Sequence, residues 1–280
     1  MYRKLAVAIA FSPRVQALLA EAARLRALFD ADLLLIHIGD RSADEEKLLE
    51  SLWKKAQIPE DRLQVIWEQG DPARKILSIC QKQQVDLLVA GALRKENFVK
   101  YYLGSIARRI LRRSECSVLM LIQPSQKPKN FRRVVINGEG SPYSREAIKV
   151  GCELGKLDNS RQLHIIRAIK MYGLAMAMAA EASEEEYSET KKGMVQDEIK
   201  KVDEILKGID TEDLKINVKV TAGKSGYELA KFALKADADL LIAGAPANRL
   251  GLMDRVFPHD LEYVFADMPC NVLIINKPRR

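Results

Sequence analysis

Gly91, Gly104 and Ser105 are the residues whose types and spacing suit chemistry. They lie in the stretch VDLLVAGALRKENFVKYYLGSIARRILRRSECSVLMLI, Val85 to Ile122. Val85–Ala90 is a short apolar run, as a buried strand is. Gly91 ends it, where the backbone is expected to turn sharply without a Cβ in the way. Gly104-Ser105 then opens a helix in which Ile106, Ile110 and Leu111 recur at helical spacing. A glycine-flanked loop that feeds a helix N-terminus offers free N–H groups and the positive end of the helix dipole. That is a binding place for an anion.

Other motifs carry less. Gly138-Glu139-Gly140 follows a strand and precedes a helix, but Tyr143 stands where a dinucleotide fingerprint needs its third glycine. His37-Ile38-Gly39 is followed by Asp40, not by the second histidine of a nucleotidyl-transferase element. A phosphate loop of the G-x4-G-K-[ST] type is absent. The histidines at 37, 164 and 259 lack a triad pattern and read as structural. Cys80, Cys116, Cys152 and Cys270 show no C-x-x-C spacing and lie in apolar contexts, so buried, reduced thiols are expected, without a disulfide or metal. Arg108, Arg109, Arg112 and Arg113 complement a helix C-terminus. They lack the aromatics of a nucleic-acid surface, so a nucleic-acid partner is not expected.

The elements that must position the glycines form a repeat. Gly70 and Gly91 recur as Gly223 and Gly244 at an offset of 153, and Cys116 as Cys270 at 154. This pitch is too long for a solenoid and fits two copies of one domain of about 140 residues. The first copy alternates strand and helix. Strand Lys4–Phe11 is followed by Ser12-Pro13, read as an N-cap and first helical turn, and the helix runs to about Phe29. Strand Asp32–Ile38, helix Arg41–Ala56 and strand Leu63–Trp67 come next. Gly70-Asp71-Pro72 then starts a helix with Asp71 as N-cap. Five strands and four helices fit residues 1–123, as a parallel sheet covered on both faces. Ligands of such sheets bind beyond the C-terminal strand ends, where strand order reverses. Ala10–Pro13 and Gly91–Ser105 sit there.

Residues 124–131 read as a linker. The second copy, 132–280, begins with strand Arg133–Ile136. Ser141-Pro142 matches Ser12-Pro13 at an offset of 129, so this half carries an insertion, placed after strand Leu163–Ile169. The Met/Ala run 171–180 reads as a lid, an inter-subunit contact or an extension of the next helix. Ser183/Glu186 and Ser225/Glu228 read as capping boxes.

The order G-D-P, V-D-L-L-V-A-G, G-S-I-A-R-R-I-L-R, C-x-V-L-x-L resembles the universal stress protein family, twice over. The resemblance implies two tandem doubly wound α/β domains of the adenine nucleotide alpha hydrolase-like kind, each a five-stranded parallel sheet with helices on both faces. The family signature is glycine, two residues, glycine, nine residues, then glycine and Ser or Thr. Gly91, Gly104 and Ser105 fit it, while Arg94 replaces the middle glycine. Arg94 either pairs with phosphate or closes the site. Ala10 stands where ATP-binding members carry an Asp, beside Ser12. In the second copy Gly244 is kept, Ala247 replaces the middle glycine, and Phe257-Pro258 or Val256-Phe257 replaces the Gly-Ser pair. Asn137 or Glu139 takes the place of the missing Asp.

The expectation is therefore a non-enzymatic, cytoplasmic stress-response protein with a degenerate site for ATP or AMP. The resemblance also implies an intramolecular pseudo-dimer, with Val118–Ile122 and Val272–Ile275 paired antiparallel, and allows a homodimer. A module with decayed pockets that binds an unidentified protein is the alternative, and an adenine-nucleotide enzyme ranks below both. The net charge is +7, of which residues 1–127 carry +6 and the remainder +1. No apolar run approaches the roughly 18–20 residues that span a bilayer, so no membrane partner is expected.

Overall fold

A computed structural model describes residues 1–94, 101–102, 104–169, 184–245 and 259–276. The chain divides into two compact units. Unit 1 holds Met1–Asn130 and the segment from Asn271; unit 2 holds Phe131–Ala245 and the chain leading to Cys270.

In unit 1 the elements are β1 (Lys4–Ile9), α1 (Val15–Phe29), β2 (Asp32–Ile38), α2 (Ala43–Lys55), β3 (Leu63–Glu68), α3 (Pro72–Lys82), β4 (Leu87–Gly91), a hairpin of β5 (Leu93–Arg94) and β6 (Tyr101–Tyr102), α4 (Ser105–Arg113) and β7 (Ser117–Leu121). The sheet order β3-β2-β1-β4-β7 is parallel throughout and reverses direction of growth between β1 and β4. Strands such as Leu33–Ile36 and Val118–Leu121 are buried residue after residue because helices cover both faces. Each fully buried Leu or Ile contributes about 1.5–3 kcal/mol.

Unit 2 repeats the pattern with β8 (Arg133–Asn137), α5 (Pro142–Leu157), β9 (Gln162–Ile169), α6 (Glu184–Leu206), β10 (Ile216–Ala222), α7 (Ser225–Lys235), β11 (Leu240–Gly244) and α8 (His259–Ala266). Its strands run in the order β10-β9-β8-β11, all parallel. The last strand, β12 (Asn271–Ile275), pairs antiparallel with β7, Leu273 opposite Leu119, as the apolar edge strands lead one to expect. Asn276 holds this register: its Nδ2 donates to the Cys116 carbonyl at 2.7 Å and its N–H to Ser117 Oγ at 3.3 Å. Asn271 Oδ1 accepts the Ile122 N–H at 3.0 Å.

Local signals explain the repeat. Gly70 and Gly223 both have positive φ, +119° and +140°, a region that glycine enters without a Cβ penalty. Asp86 Oδ2 accepts the N–H groups of Arg3 and Lys4, and Asp239 does the same for Arg133. Asp71 caps α3, accepting from Arg74 N–H at 2.8 Å, with Pro72 in the first turn.

Three expectations need correction. Ser12 does not cap a helix: its N–H turns back to the Ala10 carbonyl at 2.8 Å, and α1 starts at Val15 with Arg14 at the cap. Ser225 makes no cap bond either, because Lys224 is the cap residue and Ser225 already lies inside α7. Gly91 does not end in a sharp turn. It is the last residue of β4, and a Cβ built on it meets nothing within 4 Å among the described residues. The run 171–180, the Ser183 cap, Ala247 and the Val256–Pro258 segment lie outside the described residues.

Candidate functional site

The strand order reverses once in each unit, between β1 and β4 and between β8 and β11, which marks the C-terminal strand ends there as the candidate sites. In unit 1 Gly91 is exposed and pairs with Leu121. The hairpin then sets Leu93 opposite Tyr102 and Arg94 opposite Tyr101. Gly91 and Gly104 therefore flank the base of one hairpin, each two residues from its outer pair. Gly104 caps α4 with extended backbone, and Ser105, exposed, is the first helical residue. The first-turn N–H groups of a helix have no intrahelical acceptor, so the α4 N-terminus at Gly104-Ser105 offers backbone donors beside the base of the hairpin. The side chain of Arg94 lies outside the described residues.

Three side chains that the sequence did not single out complete this end of unit 1. The Arg14 guanidinium donates from Nη1 to the Ile122 carbonyl at 3.0 Å and from Nη2 to the Ala92 carbonyl. It thus ties the chain leaving β4 to the chain leaving β7 and puts a fixed cation at these strand ends. Phe11 stacks near Trp67 with ring centroids 5.9 Å apart and lies 4.9 Å from His37, closing the ends of β1, β2 and β3 with rings. His37 is buried and its Nδ1 bonds the Ile9 carbonyl at 3.1 Å, a structural role as expected. Ser12 is exposed on the turn before α1.

Of the four arginines on α4, Arg109 makes a two-pronged pair with Asp71, at 2.8 and 3.0 Å, that locks α4 to the start of α3. The Arg109 bond and the Arg74 N–H hold the Asp71 carboxyl below its usual range.

In unit 2 the described residues at the corresponding end pack against one another. Asn137 is buried, and its Oδ1 accepts the Glu139 N–H at 3.3 Å, which shapes the turn into α5. Ser141 N–H donates to the Glu139 carbonyl at 2.8 Å. Glu139 is half-buried. Gly244 faces the first turn of α5: a Cβ there would collide with the Tyr143 carbonyl oxygen and sit 2.6 Å from its carbon. Glycine at 244 is thus demanded by helix packing.

Arg167, 5 % exposed, lies beneath the same turn. Its Nη1 donates to the Gly138 carbonyl at 2.6 Å, and Nε and Nη2 donate to Glu198 of α6. Burial pushes the Glu198 carboxyl up, but bonds from Lys201 and Arg167 outweigh it and hold it below its usual value. No sequence motif announced this pair.

His164 packs against Phe232 with centroids 5.2 Å apart; burial and then Lys219 lower its pKa, so it too is structural. The side chain of His259 lies outside the described residues. All four cysteines are free and buried, as expected, and burial pushes the Cys270 thiol up to about 12. No described helix is long and apolar enough to cross a membrane.

These two α/β units with signature glycines at their strand ends match the model of the universal stress protein family over residues 1–121 and again over 130–276. The chain belongs to that family. Two matched segments make it a tandem member. Its sequence is 27% identical over 150 residues to a universal stress protein of Methanocaldococcus jannaschii, covering 54% of this chain and 85% of that one. In fold it is similar to a universal stress protein of Archaeoglobus fulgidus, at TM-score 0.68 and 16% identity, with 98% of each chain covered. It is also similar to a putative universal stress protein of Pseudomonas aeruginosa, at TM-score 0.70 and 20% identity, with 98% of this chain and 93% of that one covered.

Proposed function

We propose that the chain is a non-enzymatic, cytoplasmic stress-response protein that binds an adenine nucleotide, ATP or AMP, in unit 1 only. Its domains are residues 1–123 and 132–280, joined by a linker at 124–131. The observation that carries this reading is the pair Gly91 and Gly104 at the base of one hairpin, with the N-terminus of α4 opening at Ser105. Backbone N–H groups and the helix dipole there favour a phosphate, and Arg14 adds a fixed cation. Arg94 stands on the same hairpin, one residue beyond Leu93 and three beyond Gly91.

Calorimetric titration of the full chain with ATP and with AMP tests the proposal. Heat with one site per chain, weakened at least about tenfold by Gly104→Val, is the expected result. No heat at millimolar nucleotide removes it.

A second reading is favoured for unit 2, where the Tyr143 backbone and the Arg167–Glu198 pair pack at the strand ends. There the domain acts as a protein-interaction module. Deleting 171–180 tests it, the expected outcome being loss of a partner from a pull-down with an unchanged melting temperature.

A further inference from the structure

Arg167 is a buried cation beneath the turn that follows β8 in unit 2, and its partner comes from a helix with no equivalent lead-in in unit 1. Glu198 sits on α6, the helix that follows the inserted residues of the second half. The guanidinium donates Nε at 2.6 Å and Nη2 to a single oxygen, Glu198 Oε2, and Nη1 to the Gly138 carbonyl. The other carboxylate oxygen receives Lys201 Nζ at 2.6 Å. The guanidinium lies against Gly140, whose missing Cβ would come within 3.3 Å of Nη2. Arg167 is thus surrounded by a turn of backbone and one carboxylate, with that carboxylate 19% exposed at the rim. A planar fork of this kind binds phosphate oxygens as readily as a carboxylate.

We propose that unit 2 contains an anion site held closed by its own carboxylate: Glu198 is the resident anion on Arg167, and a phosphate-class anion enters only where Glu198 is withdrawn. An intramolecular carboxylate competes at high effective concentration, so an external anion binds the intact protein weakly. Removing the carboxylate leaves a buried, uncompensated cation, and an anion then has the guanidinium to itself. This stands apart from the nucleotide reading of unit 1.

The test uses four full-length proteins: wild type, Glu198→Ala, Glu198→Gln, and the double variant Arg167→Met with Glu198→Gln. Each is melted and titrated calorimetrically with sodium pyrophosphate and with inorganic phosphate at constant ionic strength. The expected result is that both single variants melt below wild type in chloride buffer, recover with pyrophosphate, and bind it at least about tenfold more tightly than wild type. The double variant responds as wild type does. A baseline response common to all four belongs to unit 1 and is subtracted from each. Single variants that respond no more than wild type overturn the proposal. So does a double variant that gains binding as they do. Glu198→Gln preserves shape, so it decides the matter if Glu198→Ala fails to fold.

Discussion

The carbonyls of Ile9 and Gly138 occupy equivalent places at the ends of β1 and β8, yet they receive different donors. Ile9 accepts from the His37 ring, which packs among Phe11 and Trp67. Gly138 accepts from the Arg167 guanidinium, which is neutralised by Glu198. His37 and Arg167 are counterparts in the sheet register, since β1 pairs Ala8 with Ile36 and β8 pairs Asn137 with Ile166. One fold therefore closes the same strand ends with rings in one unit and with an ion pair in the other. The difference extends to the helix that follows. Its late start at Val15 in unit 1 lets Arg14 reach across to two strand ends, whereas its early start at Pro142 in unit 2 presses Tyr143 onto Gly244.

The largest effect that sharpens this comparison is expected from Glu198→Ala. Leaving Arg167 buried without its partner destabilises unit 2 by about 3–5 kcal/mol, measured by urea unfolding. A cost below about 1 kcal/mol would mean that the guanidinium finds water or another partner.

Next comes the pair Gly244→Ala and Gly91→Ala. The first forces the Tyr143 carbonyl and the start of α5 to move, at about 1–3 kcal/mol. The second adds a methyl that meets nothing and changes stability by less than about 0.5 kcal/mol. Equal costs would erase the distinction between the two glycines.

Asn276→Ala removes the buried bond to the Cys116 carbonyl and is expected to cost about 1–3 kcal/mol. A change confined to unit 2 signals would contradict the placement of β12 beside β7.

The smallest effect is in pH. Glu198 titrates below its usual value in the folded state, so its contribution is complete above the unfolded carboxyl range and is lost as pH falls through the folded value. Wild type should thus lose more stability than Glu198→Gln between about pH 5 and the onset of acid unfolding. Parallel acid curves would show that the pair contributes nothing that depends on charge.

Much of the fold was legible in the residues. Asp71-Pro72 announced a helix start because a carboxylate cap and a pre-set φ act locally. Continuous apolar runs such as Leu87–Ala90 announced strands covered on both faces. Gly104-Ser105 marked the start of α4 for the same local reason. Ser12-Pro13 misled because they form a separate turn, closed by Val15 N–H on the Ser12 carbonyl, and the helix proper starts only after it with Arg14 at the cap. The Ser225 cap misled by one position, since Lys224 holds the extended cap conformation.

The candidate site was only half legible. Gly91, Gly104 and Gly244 stood out by spacing, but spacing does not distinguish a glycine that leaves room for a ligand from one that leaves room for a helix. Arg14, Arg167 and Glu198 were not singled out, since each bonds a group 29 or more positions away in sequence.

From the order of its residues alone this chain determined two copies of an α/β layer, their helix starts and their strand faces, because caps, turns and apolar period act over a few neighbours. Tertiary structure alone decided which strand ends stay accessible. That outcome depends on side chains brought together from distant strands and helices, where burial turns one arginine into a clasp between loops and another into half of an ion pair.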